Sequence, residues 1–259
     1  MRILVTNDDG IYAEGLWLLV EAIQRVAEPV IVAPDREQTG VGTAVSLLRP
    51  LRSTRILPMV QETEAYLVEG TPADCVILGL DKLAGQVGAV FSGINQGANL
   101  GNDIIISGTV GGALQGYFHG LPSVAMSVAS ITNVQYAPAA RLATLLAQLA
   151  VDGALPNDAL LNVNVPSLPL EQIAGIELTR LGKRIYHDVI DESEDRRGKK
   201  YYWISRGRPD WRMDAGDDVS AILQGRISIT PLHSDWTAAT TETMAALVSK
   251  LSGRLGLPS

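Results

Sequence analysis

The feature that most constrains this chain is a repeated unit: a short, nearly unbroken apolar run that stops abruptly at turn-forming residues. Ile3-Leu4-Val5 gives way at once to Thr6-Asn7-Asp8-Asp9-Gly10. Val30-Ile31-Val32-Ala33 stops at Pro34, Ala89-Val90-Phe91 runs into Ser92-Gly93, and residues 160–165 stop at Pro166. Runs of this length and kind read as strands buried on both faces. Between them the spacing turns helical, with Leu16, Leu19, Val20, Ile23 and Val26 in residues 15–27 and an amphipathic stretch over residues 138–151. Thr71-Pro72-Ala73-Asp74 marks another helix start, with Thr71 as N-cap, proline behind it and an acid in the first turn. Strand and helix in alternation imply an α/β fold, a mainly parallel sheet with helices on both faces. Further strands are expected at residues 45–48, 66–68, 121–127 and 226–230, and a helix over residues 111–118.

Beyond about residue 185 the pattern changes. Residues 188–200 are mostly charged and lack apolar periodicity, and Tyr201, Tyr202, Trp203 and Trp211 stand beside them. A charged run is most simply a solvated loop. The aromatic neighbours point instead to a projecting, hairpin-like arm with an interaction surface. A closing helix is expected over residues 238–251.

Composition narrows the function. The net charge of −7 argues against a nucleic-acid strand as partner, because neutralising phosphates takes clustered Lys and Arg. Cys75 is the single cysteine, so no intrachain disulfide can form, and it sits on an apolar helix face as core. The N-terminus has no charged-then-apolar leader pattern and no apolar run reaches membrane-spanning length, so the expectation is a cytoplasmic protein without a membrane span.

The chemistry gathers in the turns. Adjacent carboxylates at Asp8 and Asp9, placed after a buried strand, repel one another and lose hydration, so a divalent cation is the simplest compensation. Two more turns share the strand-then-polar signature: Arg36-Glu37-Gln38-Thr39-Gly40-Val41-Gly42 and the Gly-rich run from Ser92 through Asn95 and Asn99 to Gly101. In a parallel sheet all three lie on one edge, where open α/β sheets place ligands. Two carboxylates, a hydroxyl and an amide oxygen would form an all-oxygen set suited to Mg²⁺ or Mn²⁺. Each turn alone reads equally well as a solvated turn or a helix cap; their convergence carries the argument. Ser107-Gly108-Thr109-Val110 then leads into a helix, and backbone N–H groups at a helix start, with the Ser107 and Thr109 hydroxyls, can hold an anion such as phosphate. The simpler alternative is that these hydroxyls only cap the helix. His119, His187 and His233 stand outside these turns and read as structural or surface residues.

Taken together, these segments resemble the SurE survival-protein family, the 5′/3′-nucleotidases. The resemblance runs through Ile3 to Ile11, Glu14-Gly15, Ala33-Pro34-Asp35-Arg36 and on to Gly42, Gly70 to Cys75, Ser92 to Gly101, Ser107 to Val110, Asn162-Val163-Asn164-Val165-Pro166 and Ser228-Ile229-Thr230-Pro231-Leu232. It implies a Rossmann-like three-layer α/β sandwich: a catalytic core at 1–184, a projecting arm at 185–235 for oligomerisation, and a C-terminal helix at 236–259 packing on a core. It implies a metal-dependent phosphomonoesterase acting on nucleoside 5′- and 3′-monophosphates, built as a homodimer or homotetramer. By position, Asp8, Asp9, Thr39 and Asn95 are the ligands of one Mg²⁺ or Mn²⁺ per subunit. Asn7, Gly40, Asn99, Ser107, Gly108 and Thr109 are the substrate contacts. Threonine stands at 39 where the family usually has serine; it keeps the hydroxyl and adds a methyl that restricts the rotamer. Gly111-Gly112 and Leu114-Gln115 depart from the usual Ala-rich, Glu-containing version.

Asp8 and Asp9 are also the catalytic candidates. Asp9 would orient or deprotonate a water, or Asp8 would act as nucleophile through an aspartyl phosphate. A broad acid phosphatase or exopolyphosphatase is the rival enzyme. A nucleotide-binding module without turnover is the rival of another class, and it leaves the paired acids unexplained.

Overall fold

The computed structural model describes residues 1–185, 188–206, 210–212 and 214–255. The chain opens with β1 (Arg2–Thr6), α1 (Glu14–Gln24) and β2 (Glu28–Pro34), then β3 (Ser53–Ile56) and β4 (Glu64–Val68). Helix α2 (Pro72–Leu78) leads to β5 (Ala89–Gln96), α3 (Gly108–Phe118), β6 (Ser123–Val128), α4 (Ala137–Val151) and β7 (Leu160–Val165). The C-terminal part comprises β8 (Ile176–Leu178), β9 (Lys183–Ile185), β10 (Asp188–Glu194), β11 (Lys200–Arg206), β12 (Asp210–Arg212), α5 (Asp218–Leu223), β13 (Ile227–Pro231) and α6 (Glu242–Leu255).

Among the described residues the main sheet has the order β3–β4–β2–β1–β5–β6–β7–β13–β8. The strands from β4 to β7 run parallel, β3 is antiparallel to β4, and β13 is antiparallel to β7. Side-chain alternation along β1 sorts the two faces. Ile3 and Val5 join α1 and α4 residues such as Leu16, Leu19, Ile23 and Leu146, whereas Leu4 packs with Cys75 and Val76 of α2. Helix α3 covers the same side as α2 through Val110 and Ala113, against Ala125 and Leu160. The result is the three-layer α/β sandwich that the apolar runs imply. Each such fully buried aliphatic side chain contributes about 1.5–3 kcal/mol of transfer free energy.

The strand order creates the place for a site. From β1 the chain steps outward to β2 and β4, returns through α2 to β5 on the other side of β1, and steps outward again to β6 and β7. Connections therefore diverge between the carboxyl ends of β1 and β5, leaving a crevice there. Asp8 follows β1 by two residues, and Asn95 is the penultimate residue of β5.

Several boundaries differ from the sequence reading. Residues 45–48 form no strand: Leu47 and Leu48 are exposed, and the edge strand is the more polar β3, paired antiparallel with β4. Backbone pairing to an open sheet edge outweighs side-chain apolarity there. Strand β5 continues to Gln96 past a register shift between Ser92 and Asn95, and α3 starts at Gly108 because Ser107 supplies its cap. The charged run does form a hairpin, with β10 antiparallel to β11. Helix α6 is not covered by the core of its own chain: residues 233–251 are exposed, including Met244, Leu247, Val248 and Leu251. Both sheet faces are already occupied by other helices. Cys75 is buried in the core, His119 and His233 are exposed, and His187 lies outside the described residues.

Helix α1 begins hard against the site strand. A Cβ on Gly15 would overlap the Ile94 carbonyl oxygen and stand 3.1 Å from Tyr136 Cε1. Gly15→Ala should therefore cost about 2 kcal/mol through overpacking, read as a lower urea midpoint at unchanged slope.

Candidate functional site

The structure brings the three polar turns to one cleft of about 630 Å³. Its lining includes Asp8 from the first turn, Thr39 and Gly40 from the second, Asn95 and Asn99 from the third, and Ser107 at the start of α3. Backbone bonds stitch these turns together: Gln38 N–H donates to the Asp8 carbonyl at 2.7 Å, and Gly42 N–H donates to the Ile106 carbonyl at 2.9 Å. Asp9 stands at the edge of the same group, where its Oδ2 accepts from the Gln96 N–H at 3.2 Å. Three of the expected substrate contacts do not line the cleft. Asn7 is fully buried and donates from Nδ2 to the Gly10 carbonyl at 2.9 Å, which closes its turn. Gly108 and Thr109 stand behind Asp8.

Asp8 is held from that side. The Thr109 hydroxyl donates to its Oδ1 at 2.5 Å, and the Thr109 backbone also hydrogen-bonds the carboxylate. A Cβ on Gly108 would lie 2.7 Å from the Asp8 Cβ, so only glycine lets α3 approach this closely. The Ser107 hydroxyl accepts from the Val110 N–H at 3.1 Å as the N-cap. The positive end of α3 is thus aimed at Asp8. An anion does sit at this helix start, and it is a side chain of the protein itself.

The two carboxylates are electrostatically uncomfortable. Burial raises the Asp8 pKa above its ordinary value, against the opposing hydrogen bond from Thr109. Burial first, and the neighbouring Asp8 charge second, push Asp9 up to about 6. Glu37 raises both further. Among the described residues neither acid has an ion-pair partner. No cluster of three or more His, Cys, Asp or Glu side chains suited to a metal occurs among those residues, so any metal site here must be completed by neutral oxygens. The neighbours fit that role. Thr39 donates its proton to Glu37 at 2.5 Å, which leaves its lone pairs for a cation, and Asn95 donates from Nδ2 to the Gly97 carbonyl at 2.7 Å, which leaves Oδ1 free to accept. Two unpaired acids beside two available neutral oxygens suit a hard divalent cation.

Sequence reasoning missed several supporting residues. Asn162 and Asn164 of β7 clamp the third turn: both donate from Nδ2 to the Asn99 carbonyl at 2.8 and 3.0 Å, and Asn164 Oδ1 accepts from the Asn99 N–H at 2.9 Å. The signal was there, since two amides alternating within an otherwise apolar buried strand need a polar purpose. Ile222 and Leu223 of α5 also line the cleft, and nothing local in the sequence connects them to β1.

Comparison with known proteins decides the lineage. The family profile described as survival protein SurE matches residues 3–188. This chain belongs to the SurE family. A 5′-nucleotidase SurE of Dehalococcoides mccartyi is 45% identical over 237 residues, covering 90% of this chain and 89% of the relative. One from Geobacter metallireducens is 46% identical over 239 residues, covering 92% and 93%. The solved structure of the SurE protein from Aquifex aeolicus superposes with a TM-score of 0.78 at 35% identity, covering 98% of this chain and all of that one.

The carboxylate pair has a measurable cost. A carboxyl whose folded pKa lies above its unfolded value stabilises the fold below about pH 4, and that contribution is lost as pH rises through about 6. In metal-free protein, Asp9→Asn should therefore raise stability at pH 7.5 by on the order of 2 kcal/mol and change it little at pH 4. Thermal melts at the two pH values check this; no gain at pH 7.5 contradicts it.

Proposed function

We propose that this SurE-family chain is a divalent-metal-dependent nucleotidase. It hydrolyses nucleoside 5′-monophosphates, and 3′-monophosphates as well, to nucleoside and phosphate. The observation that carries the reading is the pair of acids at the β1–β5 crevice, one buried and one half-buried, with no ion-pair partner among the described residues and neutral oxygens on the other two turns. The names of the relatives support the nucleotide as substrate. A regulatory module without turnover would gain nothing from the cost of these acids.

Asp8, Asp9, Thr39 and Asn95 would hold one Mg²⁺ or Mn²⁺ per subunit. Such a cation, when bound, neutralises phosphate charge and lends Lewis acidity to the reaction. The rest is work for this chain's own groups. Asp8, clamped by the Thr109 hydroxyl, is the fixed ligand. Asp9 is the less buried acid, with its pKa pushed up to about 6 and no clamp like that on Asp8, so it is the group to orient the attacking water and take its proton. Ser107, Gly40 and Asn99 line the cleft where phosphate oxygens would lie. Among the described residues no helix is long and apolar enough to cross a membrane.

Two exposed apolar surfaces favour a homodimer or homotetramer. The β10–β11 arm presents Ile190, Tyr202, Trp203 and Ile204 to solvent, and α6 presents Met244, Leu247, Val248 and Leu251 at helical spacing. Surfaces of this kind are the mark of interfaces. Light scattering of the full chain should return a dimer or tetramer mass; a monomer would remove this part of the reading.

The catalytic reading is tested by phosphate release from adenosine 5′-monophosphate. Asp8→Asn and Asp9→Asn should each reduce it at least about a hundredfold with an unchanged circular dichroism spectrum. EDTA should silence the wild type, and Mn²⁺ or Mg²⁺ should restore it. Full activity of both variants, or turnover that resists EDTA, would overturn the assignment.

A further inference from the structure

The cleft lining is of two kinds. Asp8, Thr39, Asn95 and Ser107 are polar. Ile106, Ile131, Ile222 and Leu223 are large and apolar, and among these Ile131 is 73% exposed and Leu223 53%. Large apolar side chains left open beside a charged centre are an unfavourable surface unless something with an apolar face covers them. Phosphate and ribose have no such face; a nucleobase does.

The α5 part of this apolar lining is fixed in place. Asp218 at the start of α5 is fully buried, and its carboxylate accepts three backbone N–H groups: Gly101 at 2.8 Å, Gly182 at 2.8 Å and Val219 at 2.9 Å. Gly101 directly follows the cleft residue Leu100, and Val219 is three residues before Ile222. One carboxylate therefore ties α5 to the loop that carries Asn95 and Asn99. Backbone pairing of Arg180 beside Asp217, with the Asp218 N–H donating to the Arg180 carbonyl at 2.9 Å, and the Ser220 N–H bond to Asp217 Oδ1 at 2.6 Å hold the same turn. The family profile ends at residue 188, so Ile222 and Leu223 lie outside the matched segment while Ile106 and Ile131 lie within it.

We propose that Ile222 and Leu223 are specificity residues: they form the wall on which the nucleobase of the substrate rests, with Ile131 and Ile106 completing the platform. The proposal rests on the nucleotidase reading. It makes the base, and not only the phosphate, a source of binding, and it sets a nucleoside monophosphate apart from a phosphate ester without a base.

The test compares kcat/KM for adenosine 5′-monophosphate with that for ribose 5-phosphate, which carries the same phosphate and sugar without the base. The wild type should prefer the nucleotide. In Leu223→Ser and Ile222→Ser the preference should fall about tenfold, through KM for the nucleotide rather than kcat. Leu223→Met, which keeps an apolar side chain, should retain it. Mn²⁺ affinity, measured by titration calorimetry, should stay at the wild-type value in all three. A parallel fall on both substrates, or an unchanged preference in both serine variants, overturns the base wall while leaving the nucleotidase reading in place. A wild type that releases phosphate from neither substrate overturns that reading and the wall with it.

Discussion

The short hydrogen bond from the Thr109 hydroxyl to Asp8 joins the two halves of the site. It exists because β1 and β5 are neighbours whose connections diverge, so α3 returns over the carboxyl end of β1. A carboxylate buried there would normally be expensive. The start of α3, the Thr109 hydroxyl and the close approach allowed at Gly108 offset part of that cost. They do not remove it, since burial still raises the pKa of both Asp8 and Asp9. Under the proposed function this cost has a use: two carboxylates left without an ion-pair partner among the described residues are what a divalent cation would draw upon.

The remaining architecture serves to make three flexible-looking turns rigid. The first turn is tied to the second through Gln38 and Asp8, and the second to the segment leading into α3 through Gly42 and Ile106. The third is clamped from below by Asn162 and Asn164 and from the C-terminal side by Asp218. Almost every one of these links involves a backbone group of a loop, which has no partner in a ladder and must find one elsewhere. The buried asparagines and aspartates in this protein are therefore best understood as substitutes for secondary structure around a site that must not move.

The legible part of this fold is the part where one residue type allows one reading. Asp8-Asp9 after an apolar run announced a charge problem, Thr71-Pro72 announced a capped helix, and its full capping box with Asp74 is present. Where residues allow several readings, the sequence pattern misled. Residues 45–48 look more like a strand than Ser53–Ile56, yet the open edge of β4 pairs with the latter, and Ser46 is instead bonded to Asp74 through its N–H and hydroxyl. For the hydroxyls of Ser107 and Thr109 the sequence leaves two roles open, holding an anion or capping the helix. One caps α3 and the other turns back onto Asp8, a choice between donors that depends on a strand a hundred residues away.

What the sequence by itself determined is the class of fold and the chemical inventory: alternating buried strands and amphipathic helices, two adjacent acids, and turns rich in oxygen donors. Those follow from local composition and periodicity, which act over a few residues. What only the tertiary structure decided is which of the donors meet. Strand order put Asn95 beside Asp8, β7 put two amides under Asn99, and α5 brought Ile222 and Leu223 into the cleft that Asp8 lines. Contacts over such separations depend on the packing of whole layers, and no local pattern encodes them.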